Sequence, residues 1–227
     1  MIGVAVPAHN EEAALARCLA ALQRAARHAE LQAEPVMLLV VLDSCTDGSA
    51  AIARRAGVHG LAVQARNVGL ARQAGAQALL AAGARWLAFT DADSEVADDW
   101  LVAQLRHQQA GADAVCGCVT VDDWSLHTAQ VRSRYEAHYR AIDGHRHIHG
   151  ANLGVCAQAF RKAGGFRPLA CSEDVALVQD LQATGAHIAW SVTPQVRTSA
   201  RRQARARGGF ADFLLGLEKG CGEGMAA

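Results

Sequence analysis

Aromatic residues are scarce in this sequence, and its charges are balanced. Of the 227 residues, 5% are aromatic and 51% are hydrophobic, many of them alanine. We therefore expect a core of alanine, leucine and valine packed through helices. Lysine and arginine number 22, as do aspartate and glutamate, so the formal charge is zero. Such a composition implies no general attraction to nucleic acid or anionic lipid, and any anion must be bound locally.

Long apolar runs and paired cysteines are missing as well. No stretch is long and apolar enough to predict a membrane-spanning helix, and residues 1–7 lack the basic region and apolar core of a signal peptide. We therefore expect a soluble cytoplasmic protein, with peripheral attachment to a membrane left open. The cysteines show no repeated spacing, and the close pair Cys116 and Cys118 has no second pair to complete a zinc site. Reduced, mostly buried thiols are the expectation.

Strand and helix patterns alternate along the first half of the chain. Short apolar runs are typical of buried strands, and short links between strands and helices predict parallel pairing. We therefore predict an α/β fold with a doubly wound, mostly parallel sheet flanked by helices. The predicted strands of the first half are 2–6, 36–42, 61–64, 86–90 and 114–121, with Asn10 as the N-cap of the first helix and a later helix over 69–82. Further along we predict a helix over 124–142, a histidine-rich loop over 143–150, a strand over 151–156, a helix over 173–184, a strand over 187–192 and a frayed glycine-rich tail over 216–227.

Polar, turn-rich segments follow three of the predicted strands. Residues 7–11 follow the first strand, 43–48 the second and 91–93 the fourth. In open parallel sheets, ligands bind outside the carboxyl ends of the strands. The sequence therefore predicts a ligand site where these acidic segments meet.

Asp91 and Asp93 form the sharpest pair of candidate site residues. Two carboxylates one residue apart at a strand end can converge on a hard divalent cation. Mg²⁺ or Mn²⁺ held there would bridge diphosphate oxygens and neutralise a leaving nucleotide. A solvated turn is the alternative, but the position directly after an apolar strand favours a functional interpretation.

Two further polar residues have both a functional and a structural interpretation. Asp43 could accept a hydrogen bond from a base N–H or a ribose hydroxyl, or it could be an ordinary turn residue. Arg72 lies near the start of a predicted helix, an arrangement typical of diphosphate sites. Taken alone, an exposed helix charge is the simpler interpretation of Arg72.

Glu173 and Asp174 precede an apolar helix. Ser172 is a plausible N-cap, so these acids could simply occupy a helix first turn. The functional interpretation is a catalytic base, because an attacking hydroxyl must lose its proton and a carboxylate within hydrogen-bond reach can take it.

Histidines and arginines cluster in two later segments. The histidines could be surface residues, metal ligands or acceptor contacts, and the arginines could form a solvated helix face or a lid that clamps a diphosphate. We predict that 143–150 and 197–207 are mobile without a ligand and ordered when it binds. The histidines are His138, His145, His147 and His149, and the arginines are Arg197, Arg201, Arg202, Arg205 and Arg207.

Taken in order, these motifs resemble those of family 2 glycosyltransferases of the GT-A fold. Each motif is weak alone, whereas their joint order and spacing over residues 2–192 are specific. The segments are Val-Pro-Ala-His-Asn-Glu-Glu at 6–12, Asp-Ser-Cys-Thr-Asp-Gly-Ser at 43–49, an approximate Asn-x-Gly-x-x-x-Ala-Arg motif at 67–75, Thr-Asp-Ala-Asp at 90–93, Gly-Ala-Asn at 150–152, Gly-Gly-Phe at 164–166 and Glu-Asp at 173–174.

The resemblance implies roles for the matching residues. Transfer of a sugar from a nucleotide-diphosphate donor, UDP-sugars above all, is implied, with Mn²⁺ or Mg²⁺ and with inversion by single displacement. One catalytic domain over 1–227 would comprise a nucleotide-sugar half (1–122) and an acceptor-side half (123–227) with a mobile C-terminal tail. Pro7, Ala8, Asn10 and Glu11 would line the nucleotide pocket, Asp43 would bind the base, Arg72 the phosphates, Asp91 the ribose or metal, Asp93 the metal, and Asp174 would be the base with Glu173 beside it.

Departures from the family pattern narrow the range of acceptors that we expect. Processive members carry a Gln-x-x-Arg-Trp segment and membrane helices, and the sequence shows neither, so we expect a small-molecule or lipid-linked acceptor and no nucleic acid partner. A sugar nucleotidyltransferase is one rival, but its usual glycine-rich loop after the first strand is replaced by Pro-Ala-His-Asn at 7–10. A catalytically silent nucleotide-sugar-binding protein is the other, and the intact acidic motifs disfavour it.

Overall fold

The computed structural model of the chain describes residues 1–121, 123–203 and 208–219. The strands are β1 (Ile2–Ala8), β2 (Val36–Asp43), β3 (His59–Val63), β4 (Trp86–Phe89), β5 (Glu95–Val96), β6 (Ala114–Thr120), β7 (Leu153–Cys156) and β8 (Ile188–Arg197). The helices are α1 (Leu15–Ala26), α2 (Ser49–Arg55), α3 (Val68–Ala81), α4 (Trp100–Gln109), α5 (Ala129–His138), α6 (Ala157–Lys162), α7 (Glu173–Ala183) and α8 (Phe210–Glu218), with a 3₁₀ turn at Ala29–Leu31.

All eight strands form one sheet in the order β3-β2-β1-β4-β7-β6-β8-β5. Strand β1 pairs in parallel with β2 and β4, β2 with β3, and β6 with β8. Strand β7 runs antiparallel between β4 and β6, and β5 runs antiparallel beside β8. The predicted mostly parallel α/β sheet is confirmed, and strands from both predicted halves of the chain share it.

Alternate residues of the central strands are buried against helices on opposite faces of the sheet. Val4 and Val6 of β1 pack with α1 and α4, whereas Ala5 packs with α3 on the other face. Burial on both faces explains why the strand is a continuous apolar run. A smaller cluster joins α5 to α8 through Val131 and Leu214.

Two tryptophans occupy the core beside the expected small aliphatic residues. Trp86 and Trp100 are fully buried. The indole N–H of Trp86 donates to Gln104 Oε1 at 2.9 Å, and that of Trp100 donates to Asn152 Oδ1 at 2.8 Å. Buried indoles need such partners because an unsatisfied N–H is costly.

The structure corrects the predicted start of the first helix. Asn10 does not cap α1, which begins at Leu15. Asn10 adopts a left-handed backbone, and its Oδ1 accepts a hydrogen bond from Thr46 N at 2.8 Å. The side chain therefore joins two loops instead of capping a helix.

The second half also differs from its predicted boundaries. The helix predicted over 124–142 is shorter, because Thr128 caps Val131 N and α5 ends at His138. Strand β8 is longer than predicted, and β5, α6 and α8 were not predicted. Gly216 to Glu218 belong to α8, while 220–227 of the predicted frayed tail lie outside the described residues. Among the described helices, none combines the length and apolarity needed to cross a bilayer.

Candidate active site

The carboxyl ends of β2, β1 and β4 lie side by side and bring the predicted polar segments to one edge of the sheet. Residues after β4 form a tight turn, Asp91–Asp93, closed by a hydrogen bond from Ser94 N to Asp91 O at 3.1 Å. The amino end of β7 reaches the same edge because β7 runs antiparallel to β4. The topology therefore assembles one candidate site from both halves of the chain.

Asp43 ends β2 as a buried carboxylate with several backbone donors. Its Oδ1 accepts from Ala65 N at 2.8 Å and Arg66 N at 2.9 Å, and its Oδ2 accepts from Asn67 N at 2.9 Å. Burial raises the pKa of Asp43, but these backbone hydrogen bonds outweigh it and hold the pKa below its usual value. Asp43 is thus an ionised anchor for the loop that leads into α3.

Several non-glycine residues around this edge adopt left-handed backbone conformations. They are Asn10 (φ 55°), Ser44 (φ 53°), Arg66 (φ 46°) and Ser172 (φ 59°). Such conformations cost on the order of 1 kcal/mol or more and tend to persist where function requires them. The strain therefore points to the same edge as the acidic motifs.

Arg72 is buried, so the exposed-charge interpretation is wrong. Its Nη2 pairs with Asp91 Oδ1, and its Nη1 pairs with Glu173 Oε1. Only a glycine fits at position 150, because a Cβ there would overlap the Arg72 guanidinium. Among the described residues, Arg72 Nε has no hydrogen-bond partner. The buried guanidinium therefore links α3 to the Asp91–Asp93 turn and to the start of α7.

The Glu-Asp pair at the start of α7 points in two directions. Glu173 is buried against Arg72, whereas half-buried Asp174 accepts a hydrogen bond from Gly150 N through Oδ2 at 2.6 Å. Ser172 sits at the N-cap position without a side-chain cap bond. Glu173 and Asp174 do occupy the first turn of α7, as the structural interpretation expected, but Ser172 does not cap the helix with its side chain.

Asp93 and Glu11 share the guanidinium of Arg201. Arg201 Nη1 lies 2.7 Å and 2.8 Å from the two Glu11 oxygens, and Nη2 lies 3.3 Å from Asp93 Oδ2. Burial raises the pKa of Asp93 to about 6, with Arg201 lowering it and with Asp91 and Glu11 raising it. Arg201 therefore offsets only part of the effect of burial on Asp93.

Other predicted pocket residues lie at the end of β1. Ala8 O accepts from Cys45 Sγ at 3.2 Å, and Glu11 N donates to Ser49 Oγ at 2.9 Å. Pro7 is half-buried in β1, paired with Val41. The structure places Pro7, Ala8, Asn10 and Glu11 beside the Asp43 loop, and their contacts with a nucleotide stay a prediction.

The described part of the basic run, Arg197, Arg201 and Arg202, does not form a helix face. Arg197 ends β8 and lies 3.7 Å from Glu95, and Arg202 pairs with Glu218 at 2.7 Å. Arg205 and Arg207 lie outside the described residues. The described part of the run therefore joins β8 to the acidic edge.

The histidine cluster divides into separate parts. His138 bonds to Arg134 O at 2.8 Å, away from the other three. His145 and His147 stack on each other, and His147 stacks on Tyr139. No group of three or more histidine, cysteine or acidic side chains in 1–121, 123–203 and 208–219 is arranged to hold a metal, so the metal interpretation of this cluster lacks support.

Tyr139 and His149 are a pair that sequence reasoning missed. Val119 N donates to Tyr139 Oη at 2.8 Å, and Tyr139 Oη lies 3.0 Å from His149 Nε2. Burial lowers the pKa of His149 to about 3, aided by His147 and His145. His149 is therefore neutral and precedes the glycine that contacts Asp174. The alternation of histidines at 145, 147 and 149 was the available signal.

The loop 143–150 packs along β8 through polar contacts. Asp143 Oδ1 accepts from Ser191 Oγ at 2.9 Å and Val192 N at 3.0 Å, and Gly144 N donates to Trp190 O at 2.8 Å. Polar bonds thus anchor a segment that has few apolar residues. Its further ordering by a ligand stays a prediction.

The sheet order and the acidic edge define a GT-A-type α/β protein. The model of the family described as Glycosyl transferase family 2 matches residues 3–167. The chain therefore belongs to that family. Glu173, Asp174 and Arg201 lie beyond the matched range, so their placement rests on the geometry above. No curated protein sequence matches the chain.

Solved structures share the fold at low identity. TarS 1–349 of S. aureus in complex with UDP-GlcNAc superposes with a TM-score of 0.68 and 13% identity, covering 92% of this chain and 61% of TarS 1–349. Mannosyltransferase PcManGT of Pyrobaculum calidifontis, in complex with GDP-Man and Mn²⁺, gives 0.68 and 18%, covering 100% and 65%. Glucosyl-3-phosphoglycerate synthase of Mycobacterium tuberculosis, with Mn²⁺, UDP and glucosyl-3-phosphoglycerate, gives 0.60 and 17%, covering 97% and 77%.

Proposed function

We propose that the chain is a glycosyltransferase that moves a sugar from a nucleotide-diphosphate donor to an acceptor hydroxyl. The observation that carries the proposal is the convergence of Asp43, Arg72, Asp91, Asp93 and Asp174 on one sheet edge in a family 2 fold. UDP-sugars are the proposed donors, since TarS and the mycobacterial synthase were solved with uridine nucleotides. GDP-sugars are the next candidates because PcManGT was solved with GDP-Man.

The donor's nucleotide would lie against the ends of β1 and β2. Asp43 Oδ2 accepts only the Asn67 amide among the described contacts, so it retains capacity for a base N–H. Pro7, Ala8, Asn10 and Glu11 would form the adjoining wall. Arg72 Nε, buried and unpartnered among the described residues, would serve the diphosphate, because a guanidinium favours phosphate oxygens.

The Asp91–Asp93 turn fits a hard divalent cation such as Mn²⁺ or Mg²⁺. The carboxylate oxygens of Asp93 and Glu11 already bind one positive group, the Arg201 guanidinium. Mg²⁺ also prefers oxygen ligands. Such sites use one or two carboxylates with water and substrate phosphates completing the shell, which agrees with the lack of a three-ligand group in the described residues. When bound, the cation supplies charge neutralisation for the leaving diphosphate.

Asp174 is the proposed general base. Gly150 N holds one of its oxygens, which orients the carboxylate toward the edge where the sugar would lie. As the acceptor oxygen forms its bond to the anomeric carbon, the bond to the diphosphate oxygen breaks and Asp174 takes the acceptor proton. Attack from the opposite face gives inversion. Glu173 acts through Arg72 and is therefore assigned to positioning.

The experiment that tests the assignment is calorimetry of UDP with and without Mn²⁺. For Asp93→Asn we expect a folded protein that loses Mn²⁺-dependent UDP binding, because one charge of a hard-ion site is gone. Asp98→Asn is the matched control, since Asp98 is exposed and pairs with Arg24. Unchanged Mn²⁺ dependence in Asp93→Asn would show that the cation assignment is wrong.

A catalytically silent nucleotide-sugar-binding protein is the alternative. It would bind UDP as the enzyme does but would not consume the donor. Donor hydrolysis measured with and without Mn²⁺ separates the two, and hydrolysis abolished in Asp93→Asn supports the enzyme.

A further inference from the structure

Arg201 places a positive charge inside the carboxylate cluster proposed to receive the cation. Its guanidinium contacts both oxygens of Glu11 and one oxygen of Asp93. The exposed fractions of the three side chains are 28% for Arg201, 8% for Glu11 and 12% for Asp93. The Arg201 guanidinium is thus largely buried, but solvent still reaches part of it.

The backbone before Arg201 is fixed on the Asp91–Asp93 turn. Thr198 N donates to Thr120 O at 2.9 Å, and Ser94 Oγ donates to Thr198 Oγ1 at 2.9 Å. Arg201 N adds a local bond to Ser199 Oγ at 3.2 Å. The guanidinium reaches the acids only through its own flexible side chain, so it can leave without unfolding β8.

A divalent cation and the Arg201 guanidinium would compete for the Asp93 carboxylate. Charges only a few ångströms apart in a mostly buried cluster interact strongly, because little water screens them. A divalent ion at Asp93 would therefore repel the guanidinium strongly. Without a metal or Arg201, Glu11 and Asp93 would lack the charge that now holds them together, whereas Asp91 keeps its pair with Arg72. Arg201 therefore supplies the positive group for Glu11 and Asp93 when no metal is bound.

We infer that Arg201 is an internal counter-ion of Glu11 and Asp93 that a divalent cation must displace. The inference rests on the proposed function only in taking Asp93 as a ligand of the divalent cation. Arg201 lowers the affinity of the free protein for the cation, because metal binding must first break its contacts. A diphosphate would favour the exchange by offering the released guanidinium new phosphate oxygens, so metal and nucleotide binding are positively coupled.

The test measures Mn²⁺ binding to the protein in the absence of nucleotide. Electron paramagnetic resonance gives the concentration of free Mn²⁺ at each point of the titration. We expect Arg201→Gln to bind Mn²⁺ about tenfold tighter or more than the unaltered protein, since one competing charge is removed. Arg202→Gln is the control, because Arg202 is the next arginine in the chain and pairs with Glu218, not with Glu11 or Asp93. We expect Arg202→Gln to match the unaltered protein. Arg201→Lys, which keeps the charge, should stay closer to the unaltered protein than Arg201→Gln.

A second arm adds UDP to the same titrations. The inference expects UDP to tighten Mn²⁺ binding more in the unaltered protein than in Arg201→Gln, where no guanidinium is released. Circular dichroism and urea unfolding of each variant establish that it is folded. Equal or weaker Mn²⁺ affinity in a folded Arg201→Gln overturns the counter-ion inference while leaving the enzyme proposal intact. Tighter Mn²⁺ binding without any effect of UDP supports the counter-ion and contradicts UDP-sugars as the donors.

Discussion

Two arginines hold the two acids of the Asp91–Asp93 turn, and they do so in different ways. Arg72 comes from the helix α3, is 5% exposed, and is shared with buried Glu173. Arg201 comes from the segment after β8, is 28% exposed, and is shared with Glu11. Two neighbouring carboxylates can therefore differ in function, because different parts of the structure hold their counter-ions. Asp91 is fixed by a helix, whereas Asp93 is held by a side chain that can leave.

The largest expected effect comes from removing the fixed arginine. Arg72→Met leaves Glu173 buried without its partner, so we expect the free energy of unfolding to fall by about 3–5 kcal/mol. Urea denaturation measures it. Arg201→Gln should cost less than Arg72→Met, because Arg201 is 28% exposed and Arg72 only 5%.

A double variant sharpens the same comparison. Arg72→Met combined with Glu173→Gln should lose less stability than the sum of the single changes, since the uncompensated charge is gone. A loss of under about 1 kcal/mol in Arg72→Met alone would show that the buried pair does not stabilise the fold.

The second-largest expected effect is a loss of turnover when the proposed base is removed. Asp174→Asn should lower turnover by about a hundredfold or more while leaving UDP binding nearly unchanged, because the base acts on the attacking hydroxyl. A turnover assay beside calorimetry of UDP measures both. Glu173→Gln is the contrast, since it should weaken stability and donor binding together through Arg72. Equal losses of turnover and binding in Asp174→Asn would move this residue from catalysis to binding.

The pH dependence of stability tests whether burial outweighs the Arg201 ion pair at Asp93. Its pKa is raised from 3.8 to about 6, so the folded state keeps a proton that the unfolded state loses. This contribution is fully present below the unfolded pKa and is lost as the pH rises through about 6. Between about pH 4 and about pH 7 we expect it to remove about 2 kcal/mol. Urea unfolding across that range measures it, and Asp93→Asn should lack this decline. A decline of the same size in that variant would contradict the assignment.

The smallest expected effect comes from the helix that fixes Arg72. Asn67 Oδ1 accepts from Leu70 N at 2.9 Å and caps α3, so Asn67→Ala should cost about 1 kcal/mol. Thr128→Ala removes the corresponding cap of α5 and should cost a similar amount in thermal or urea unfolding. Only Asn67→Ala should also weaken UDP binding. An equal effect of both variants on binding would show that α3 does not position the arginine for the donor.

The sequence predicted the sheet and its acidic edge because both depend on local patterns. Apolar runs mark the central strands, and the order of parallel strands brings their ends together. The partners of the site residues could not be predicted in the same way. Arg72 looks like an exposed helix charge until folding brings α7 beside α3. Asparagine is a favourable N-cap residue, but the Asn10 side chain instead accepts a hydrogen bond from Thr46 in another loop.

The second half was harder to predict for a related reason. Strand β7 pairs antiparallel between β4 and β6, an insertion that no alternation of strands and helices indicates. Helix α5 has only Val131 and Tyr135 buried, so its apolar pattern is too sparse to fix its ends. The role of Arg201 depends on a side chain that crosses from β8 to the end of β1, and no spacing in the sequence encodes that contact.

The contacts between α3 and the segment before α7 set an order of events during folding. Asn67 Nδ2 donates to Pro168 O across 101 residues, and Gly69 N donates to Leu169 O at 3.1 Å. Contacts between residues so far apart form late, because the intervening chain must be ordered first. During synthesis, the strands before residue 122 can pair before Glu173 has left the ribosome. Arg72 then has no buried acid to hold it, and the nucleotide edge takes its final shape only when α7 docks.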